Sequence, residues 1–388
     1  MSGSGGRHVS LPAVFMRGGT SKAVFFRQED LPRADPPHNC ANWDPIFCGV
    51  LGSPDPNGRQ LDGMGGGLSS LSKIAVIGKP SHPDADVDFT FAQVGIREAI
   101  VSYRGTCGNI SSAVGSYAVD EGLVRPMGNS ASVRIHNTNT GKIVVATFAL
   151  QDCRAAVGGE LSIAGVAGEG DPVKLAFLDP GGATTGRLLP TGSVQDAIHV
   201  AGIGRLRASF VDAANPVVFV RGGDFALDAM SRPEDIERDV GLMDRLEEVR
   251  VASAVRMGLC SEQDARSRIR NLPLVSLIWP RSAASGKADI VTRMISAGQP
   301  HRATPLTGAM CLAVAGKLPG SIVAEALGER SDPDDDIAIE HASGVLTLGA
   351  KVRNSGGEAV AEEVVVYRTA RRLMEGRVFY RANLAELP

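Results

Sequence analysis

Two short segments recur in the chain in the same order and at nearly the same spacing, which restricts it to folds built from two similar halves. Val14-Phe15-Met16-Arg17-Gly18-Gly19 matches Val218-Phe219-Val220-Arg221-Gly222-Gly223 at an offset of about 204. Gly105-Thr106-Cys107-Gly108-Asn109-Ile110-Ser111-Ser112-Ala113-Val114-Gly115 lies over Pro305-Leu306-Thr307-Gly308-Ala309-Met310-Cys311-Leu312-Ala313-Val314-Ala315 at an offset of about 200. A length of 388 residues exceeds one ordinary core and suffices for two. The turn-rich stretch from Pro180 to Gly192 marks the boundary, so the expected domains are residues 1–195 and 196–388, with the final residues free to pack back on the first. A cleft between two such halves is the expected place for a site.

Within the halves the signals alternate between strand and helix, which points to mixed α and β. Asp86-Val87-Asp88-Phe89-Thr90-Phe91 alternates with period two, as a half-buried strand does. Val133 to Ile135 and Ile143 to Phe148 read as a strand pair joined through Asn137-Thr138-Asn139-Thr140-Gly141. Pro233 to Met257 reads as one long helix, capped by Ser231, ended by Gly258, with Ile236, Val240, Met243 and Leu246 on one face.

Composition removes several function classes. Forty basic and forty-three acidic side chains leave a net charge of −3, so no global field recruits nucleic acid or an anionic membrane. The start, Met1-Ser2-Gly3-Ser4-Gly5-Gly6, has no apolar signal core and no stretch reaches the length of a transmembrane helix, so a cytoplasmic protein is expected. Six cysteines with no C-x-x-C pair and seven isolated histidines argue against a zinc site, and the acidic run Asp332 to Asp336 lacks the glycine and distal glutamate of a calcium loop. A small molecule held locally is the expected partner, and a homodimer is compatible with the sequence.

The chemistry gathers in four segments. Cys107 is flanked by Gly108 and stands before Ile110 to Val119, a small-residue run suited to a buried helix, so it falls at a helix N-terminus where the dipole favours thiolate and carboxylate alike. The alternative is a free cysteine buried as a small core residue. Thr307, Gly308, Ala309 and Met310 repeat the arrangement, giving two helix ends for a di- or tricarboxylate. Gly63-Met64-Gly65-Gly66-Gly67-Leu68-Ser69-Ser70 can turn several N–H groups onto one anion, yet it is neither a Walker A loop nor a dinucleotide fingerprint. Lys73 follows it and opens the apolar run Ile74-Ala75-Val76-Ile77, where desolvation suits an amine to proton transfer, although a lysine snorkelling at a strand end is the common alternative. Arg17, Thr20, Ser21 and Lys22 supply two cations and two hydroxyls in one turn, a carboxylate cradle or a plain surface turn.

At these residues the sequence resembles the 2-methylaconitate cis-trans isomerase family, with its relatives 4-oxalomesaconate tautomerase, methylitaconate Δ-isomerase and aconitate Δ-isomerase. The resemblance rests on Met16 to Lys22, Asp62-Gly63-Met64-Gly65-Gly66, Ser72-Lys73, Ala92-Gln93-Val94, Cys107-Gly108-Asn109, Pro190-Thr191-Gly192, Arg256 to Leu259, Leu306 to Ala309 and Thr369 to Arg372, nearly the whole chain in order. It implies an α+β fold of the diaminopimelate-epimerase type, two similar domains each wrapping strands around a central helix. It implies a cofactor-independent isomerase that moves a proton along a small unsaturated di- or tricarboxylate. Carried over by position, its proton-transfer lysine falls on Lys73 and its active-site cysteine on Cys107. The substrate-binding set becomes Arg17, Thr20, Ser21, Lys22, Gly65, Gly66, Gly67, Leu68, Ser69, Gly108, Asn109, Thr307, Gly308, Ala309 and Met310, with no metal, flavin or nicotinamide required.

Epimerases of this fold use two cysteines, one from each half. Here Thr307 stands opposite Cys107, and Cys311 falls one helical turn further in, facing the core, which disfavours a two-thiol racemase. Ala342, where the family has proline, and Gly67-Leu68 leave open which acid is the substrate. Two rival readings are a carboxylate-binding protein on the same fold and a hydrolase pairing Cys107 with His136 or His301.

Overall fold

The computed structural model describes residues 7–103, 106–267, 269–284, 286, 288–296, 298–329, 335–355 and 358–382. The opening Met1 to Gly6, Gly105, and Asp332, Pro333 and Asp334 of the acidic run lie outside the described residues. Among those described, no helix is long and apolar enough to cross a membrane.

The chain forms two compact units. One runs as far as Ala176 and takes in the segment from Tyr367 onward; Phe177–Val366 forms the other. The boundary therefore precedes the turn-rich stretch expected to contain it. That stretch belongs to the second unit because Asp212 gathers it: Gly182 N donates to Asp212 O at 2.8 Å, and Thr184 N and Thr185 N donate to Asp212 Oδ2 at 2.8 and 2.6 Å. The final strand, Ala370–Ala382, pairs antiparallel with the first along its whole length, from Arg7↔Ala382 to Gly18↔Ala370.

The first unit begins with a hairpin of β1 (Arg7–Gly18) and β2 (Ser21–Arg27). After α1 (Asp44–Leu51), β3 (Lys73–Gly78) lies parallel to β2, and β4 (Val87–Val94) returns antiparallel to β3. A two-residue β5 (Val101–Ser102) precedes α2 (Gly108–Asp120), and β6 (Ser130–Asn137) with β7 (Lys142–Gln151) forms the hairpin read from the sequence. Along β2 the side chains alternate between two cores. Val24 and Phe26 join Trp43 and Phe47 beside α1, while the Phe25 ring lies 5.2 Å from that of Tyr117 on α2. All of α2 except Asn109 and Asp120 is buried, against β1, β2, β3, β6 and β7. Its small residues make this closeness attainable: a Cβ on Gly115 would fall 2.9 Å from both Ala146 Cβ and Phe148 Cε1.

β4 departs from the half-buried strand expected. Its polar positions are covered as well, Asp88 and Thr90 being 7% and 2% exposed. Burial is tolerated because each is satisfied: Asp88 Oδ1 accepts from Ser81 N at 3.0 Å and lies 2.8 Å from His136 Nδ1, and Thr90 Oγ1 meets Thr138 Oγ1 at 2.7 Å.

The second unit repeats this course with β8 (Gly204–Ala213) and β9 (Asn215–Arg221) as its hairpin. Helices α3 (Pro233–Arg238) and α4 (Val240–Arg256) follow; β10 (Leu274–Pro280) then lies parallel to β9, and β11 (Ile290–Ser296) antiparallel to β10. The short β12 (Gln299–Pro300) leads to the buried α5 (Leu306–Gly316), then β13 (Ile337–His341) and β14 (Gly344–Ser355) form a hairpin, and the strand Glu358–Arg368 pairs antiparallel with β14. The topology refines the repeat. β9 answers to β2, not to β1 as the Val14 and Val218 match supposed, and the residue preceding α5, Pro305, answers to Cys107 in place of Thr307.

The single long helix expected from Pro233 is two helices. Asp239, at φ −79° and ψ 86°, leaves helical geometry and restarts the chain by accepting from Leu242 N at 2.9 Å. The N-cap of α3 is Arg232, one residue beyond Ser231. The break rotates the face: Ile236 and Leu246 are buried, whereas Val240 is 68% exposed.

Candidate active site

Lys73 opens β3 and is 8% exposed. Its ammonium is held from two sides: Nζ donates to Gln93 Oε1 at 2.6 Å and stands 5.0 Å from the centre of the Phe91 ring. Both partners come from β4, opposite Lys73 and Ala75 in the antiparallel register. Gln93 is itself fixed, since its Nε2 donates to Ser69 O at 3.1 Å and Ser72 O at 2.8 Å. Among the described residues no carboxylate bonds to this ammonium; the partner that holds it is a neutral amide.

Cys107 is the N-cap of α2, with extended φ and ψ of −117° and 98° and a half-buried thiol that makes no capping bond. Its carbonyl accepts from Ser111 N at 2.9 Å and Ser111 Oγ at 3.1 Å, so the thiol is left over at the start of the helix. The sheet brings it to the end of the unit where Lys73 stands. Gln93 pairs with Lys73 on one side and Ser102 on the other, and the chain reaches Cys107 shortly after Ser102. Asn139 ties the same end together by donating from Nδ2 to Phe91 O at 2.9 Å and to Tyr103 O at 2.6 Å.

The glycine loop is less open than expected. Met64 N and Gly65 N donate to Val50 O and Leu51 O at 2.9 and 3.2 Å, and Gly67 N donates to Gln60 Oε1 at 3.0 Å. Among the described residues the N–H groups of Gly66, Leu68 and Ser69 have no protein acceptor, so this part of the loop can meet an anion. Gln60, 1% exposed, holds the loop's shape by donating to Ser53 Oγ at 2.9 Å and Ser72 Oγ at 2.8 Å.

In the turn between β1 and β2, Arg17 is committed to the frame: Nη1 donates to Gly19 O, Thr369 O and Thr369 Oγ1 at 3.0, 2.9 and 3.0 Å. Desolvation, and then the neighbouring Arg371, push its pKa down. Lys22 lies 5.4 Å over the Phe15 ring, Ser21 is buried, and Thr20 N donates to Asn109 Oδ1 at 3.4 Å. The turn sits on the start of α2. Gly19, at φ 50°, has Asn109 Oδ1 where a Cβ would come within 2.2 Å, and a Cβ on Gly18 would come within 2.4 Å of Asn109 O. Arg368 completes this corner, with Nε donating to Asn109 Oδ1 at 3.2 Å. Burial pushes Arg368 down to about 10.

In the second unit the corresponding helix start is leaner. Thr307 Oγ1 accepts from Asn215 Nδ2 at 3.4 Å. Gly308, Ala309 and Met310 are buried, and Ala309 N already donates to Pro305 O at 2.9 Å. The side chains of Ala309 and Met310 therefore belong to the packing, leaving the preceding N–H groups to face outward. Cys311 is fully buried with Sγ 3.3 Å from Val211 O, and burial pushes its thiol well up. A hydrolytic pairing finds no support in His136, whose Nδ1 meets Asp88 Oδ1 and Ser81 Oγ at 2.8 and 3.3 Å. His301 Nδ1 accepts from Ala303 N at 3.1 Å, and burial pushes its pKa down.

Gln60 and Arg368 escaped the sequence reading, and Gln93 entered it only as part of a motif. The one signal for Gln93 was its place in a strand run among apolar residues, where a buried amide needs partners.

Comparison with known proteins then places the whole chain. A family model described as PrpF protein matches residues 8–381. A 3-methylitaconate isomerase from Eubacterium barkeri is 37% identical over 380 residues, covering 95% of this chain and 97% of that protein. A 2-methyl-aconitate isomerase from Shewanella oneidensis is 33% identical over 386 residues, covering 95% and 96%. The crystal structure of a methylitaconate-delta-isomerase superposes with a TM-score of 0.84 at 36% identity over 98% of this chain and 97% of that one. A hydroxyproline epimerase from Agrobacterium vitis, at 12% identity and TM-score 0.56 over 97% and 94%, shares the fold alone, which is the diaminopimelate-epimerase type.

Proposed function

Since the chain belongs to the PrpF family and is an isomerase, we propose that it shifts a proton along a small unsaturated di- or tricarboxylate, with 2-methylaconitate or aconitate as the leading substrates. The relatives' names support this class: one acts on 3-methylitaconate and another on 2-methyl-aconitate. The observation that carries the reading is the held amine: Lys73 Nζ, 2.6 Å from Gln93 Oε1, on the same end of the unit as the Cys107 thiol.

An allylic C–H beside a conjugated carboxylate is a weak acid, so its removal needs a positioned base and stabilisation of the dienolate. Lys73, released to the neutral amine, takes the proton; its charge is then met by the Gln93 amide and the Phe91 ring face. The first N–H groups of α2 and those of Gly66, Leu68 and Ser69 face the carboxylates, whose negative charge grows as the dienolate forms. Delocalisation weakens the former double bond. Rotation followed by return of a proton to the carbon that lost it gives the cis-trans isomer, and protonation at the far carbon gives the shifted alkene, with Lys73 or Cys107 as the donor. The chemistry needs no flavin, nicotinamide or metal, and suits a cytoplasmic enzyme.

The test is to supply 2-methyl-trans-aconitate, trans-aconitate, methylitaconate and 4-oxalomesaconate separately and follow each by proton NMR. Conversion of one acid far faster than the others identifies the substrate. No conversion of any, at enzyme concentrations near that of substrate, contradicts the proposal.

A further inference from the structure

Four cations stand around the Gly18-Gly19-Thr20 turn, and among the described residues none has a carboxylate partner. Three form a row across adjacent strands, with Lys22 opposite Arg17 and Arg17 opposite Arg371. Like charges set directly opposite one another repel, so a row of three is an arrangement the fold alone does not favour. The fourth is Arg368, which is 7% exposed.

The bonds of Arg368 satisfy its geometry but not its charge. Nε donates to Asn109 Oδ1 at 3.2 Å and Nη1 to Tyr367 O at 2.9 Å, both neutral acceptors, and Nη2 has no partner among the described residues. Other buried arginines keep acidic groups near: Arg293, 4% exposed, also donates to carbonyls, those of Ser231 and Thr292, yet Glu340 and Asp228 lie close enough to act on its charge. Arg250, 3% exposed, is gripped by Glu247 through Nη2 and Nε at 2.6 and 2.8 Å. The half-buried Arg372 reaches Glu121 at 2.7 Å and Glu375 at 2.6 Å. A guanidinium taken out of water without a counter-charge destabilises the fold that holds it, and such a group persists where a ligand supplies the missing charge.

Its position says which ligand. Asn109 lies in the first turn of α2, so the guanidinium is packed against the positive end of that helix, whose N-cap is Cys107. A second positive group at a site that already favours anions makes sense only for an anion. A planar fork with an open Nη2 matches a carboxylate better than a spherical ion.

We propose that Arg368 is a substrate-binding residue, its guanidinium anchoring one carboxylate of the polycarboxylate at the first turn of α2. The inference deepens the isomerase reading, and it rests on that reading only for the identity of the anion. Asn109 and Arg17 position the anchor, Asn109 through Nε and Arg17 by pinning Thr369, the next residue along the chain.

The experiment is thermal unfolding of the full chain as wild type, Arg368→Met and Arg368→Lys. Each is measured with trans-aconitate, with tricarballylate (a saturated tricarboxylate that cannot isomerise), with sulfate, and with sodium chloride at matched ionic strength. Ligand that binds only the folded state raises Tm. The expected result is a Tm rise with both tricarboxylates that exceeds the sulfate and chloride controls in the wild type and is lost in Arg368→Met. In turnover, KM rises by about 100-fold in Arg368→Met and about 10-fold in Arg368→Lys, with kcat changed less than about threefold. A merely structural arginine would instead lower the ligand-free Tm and leave the ligand-induced rise intact, and that result overturns the proposal. Should Arg368→Met not fold, Arg368→Lys decides alone: a wild-type KM there overturns it. A Tm rise as large with sulfate as with tricarballylate rejects the carboxylate assignment. An Arg368-dependent rise in a protein that isomerises none of the acids upholds the anchor and rejects the substrate reading, so the two failures are distinguishable.

Discussion

Where the first unit places Lys73 opposite Gln93, the second places Val275 opposite Ile295, both buried. The equivalence is topological: Gln93 pairs onward with Ser102 in β5 as Ile295 pairs with Pro300 in β12, just before each buried helix. At the helix starts the contrast recurs, with the thiol of Cys107 answered by the ring of Pro305. Cys311, the cysteine of the second helix, is fully buried against Val211 O. Even the hairpin turns differ. Gly19 at φ 50° is pressed against Asn109, whereas Ala214 holds φ 63° in the second unit with its side chain in place. One frame thus carries two kinds of filling. The second copy is filled for packing, and the first accepts a buried amine, a free thiol and an uncompensated guanidinium, each of which costs stability. Among the described residues the first unit sets one held amine and one helix-start cysteine, and under the proposed function such a pair suits transfer of a proton along a conjugated chain.

The comparison can be broken by exchange. Val275→Lys puts an ammonium where no Gln93 waits, and should cost about 3–5 kcal/mol of stability with no gain in turnover; denaturant unfolding measures it, and a cost below about 1 kcal/mol would mean the positions are not equivalent. Cys107→Ala should lower kcat by about 100-fold, while Cys311→Ala costs about 1–2 kcal/mol of stability and leaves kcat within about twofold; steady-state kinetics on both variants checks this. Gly19→Ala should destabilise by about 2 kcal/mol, through a disfavoured φ and the clash with Asn109 Oδ1. Ala214→Gly should move stability by less than about 1 kcal/mol, since that turn already carries a Cβ. Gln93→Leu should reduce kcat by about tenfold at unchanged KM, because the amine loses its orientation while the carboxylate contacts remain.

Much of the frame was legible because local pattern and tertiary role agree. The apolar run after Lys73 is β3, the small-residue run after Cys107 is α2, and the turn-rich 137–141 segment closes a hairpin. The long helix was misread because its apolar period continues through Asp239, whose side chain competes for backbone N–H groups and restarts the helix. The repeat was aligned on Arg-Gly-Gly, which ends β1 in one unit and β9 in the other, so similar letters marked different strands. Arg368 was invisible for another reason. Its meeting with Asn109 spans 259 residues and depends on the last strand returning to β1, and what distinguishes it is a missing counter-charge, which no local window displays.

The central claim is that the proton travels through Lys73 of the first unit. Solvent exchange tests it most directly: the wild type and Lys73→Ala are incubated in D₂O with whichever acid is converted, and deuterium in recovered substrate and product is followed by proton NMR. The account predicts deuterium incorporation in the wild type and a fall of about 10³-fold or more in Lys73→Ala, with the variant still folded and still stabilised by tricarballylate. Incorporation in the variant at a rate within tenfold of the wild type would contradict it and move the base to another residue.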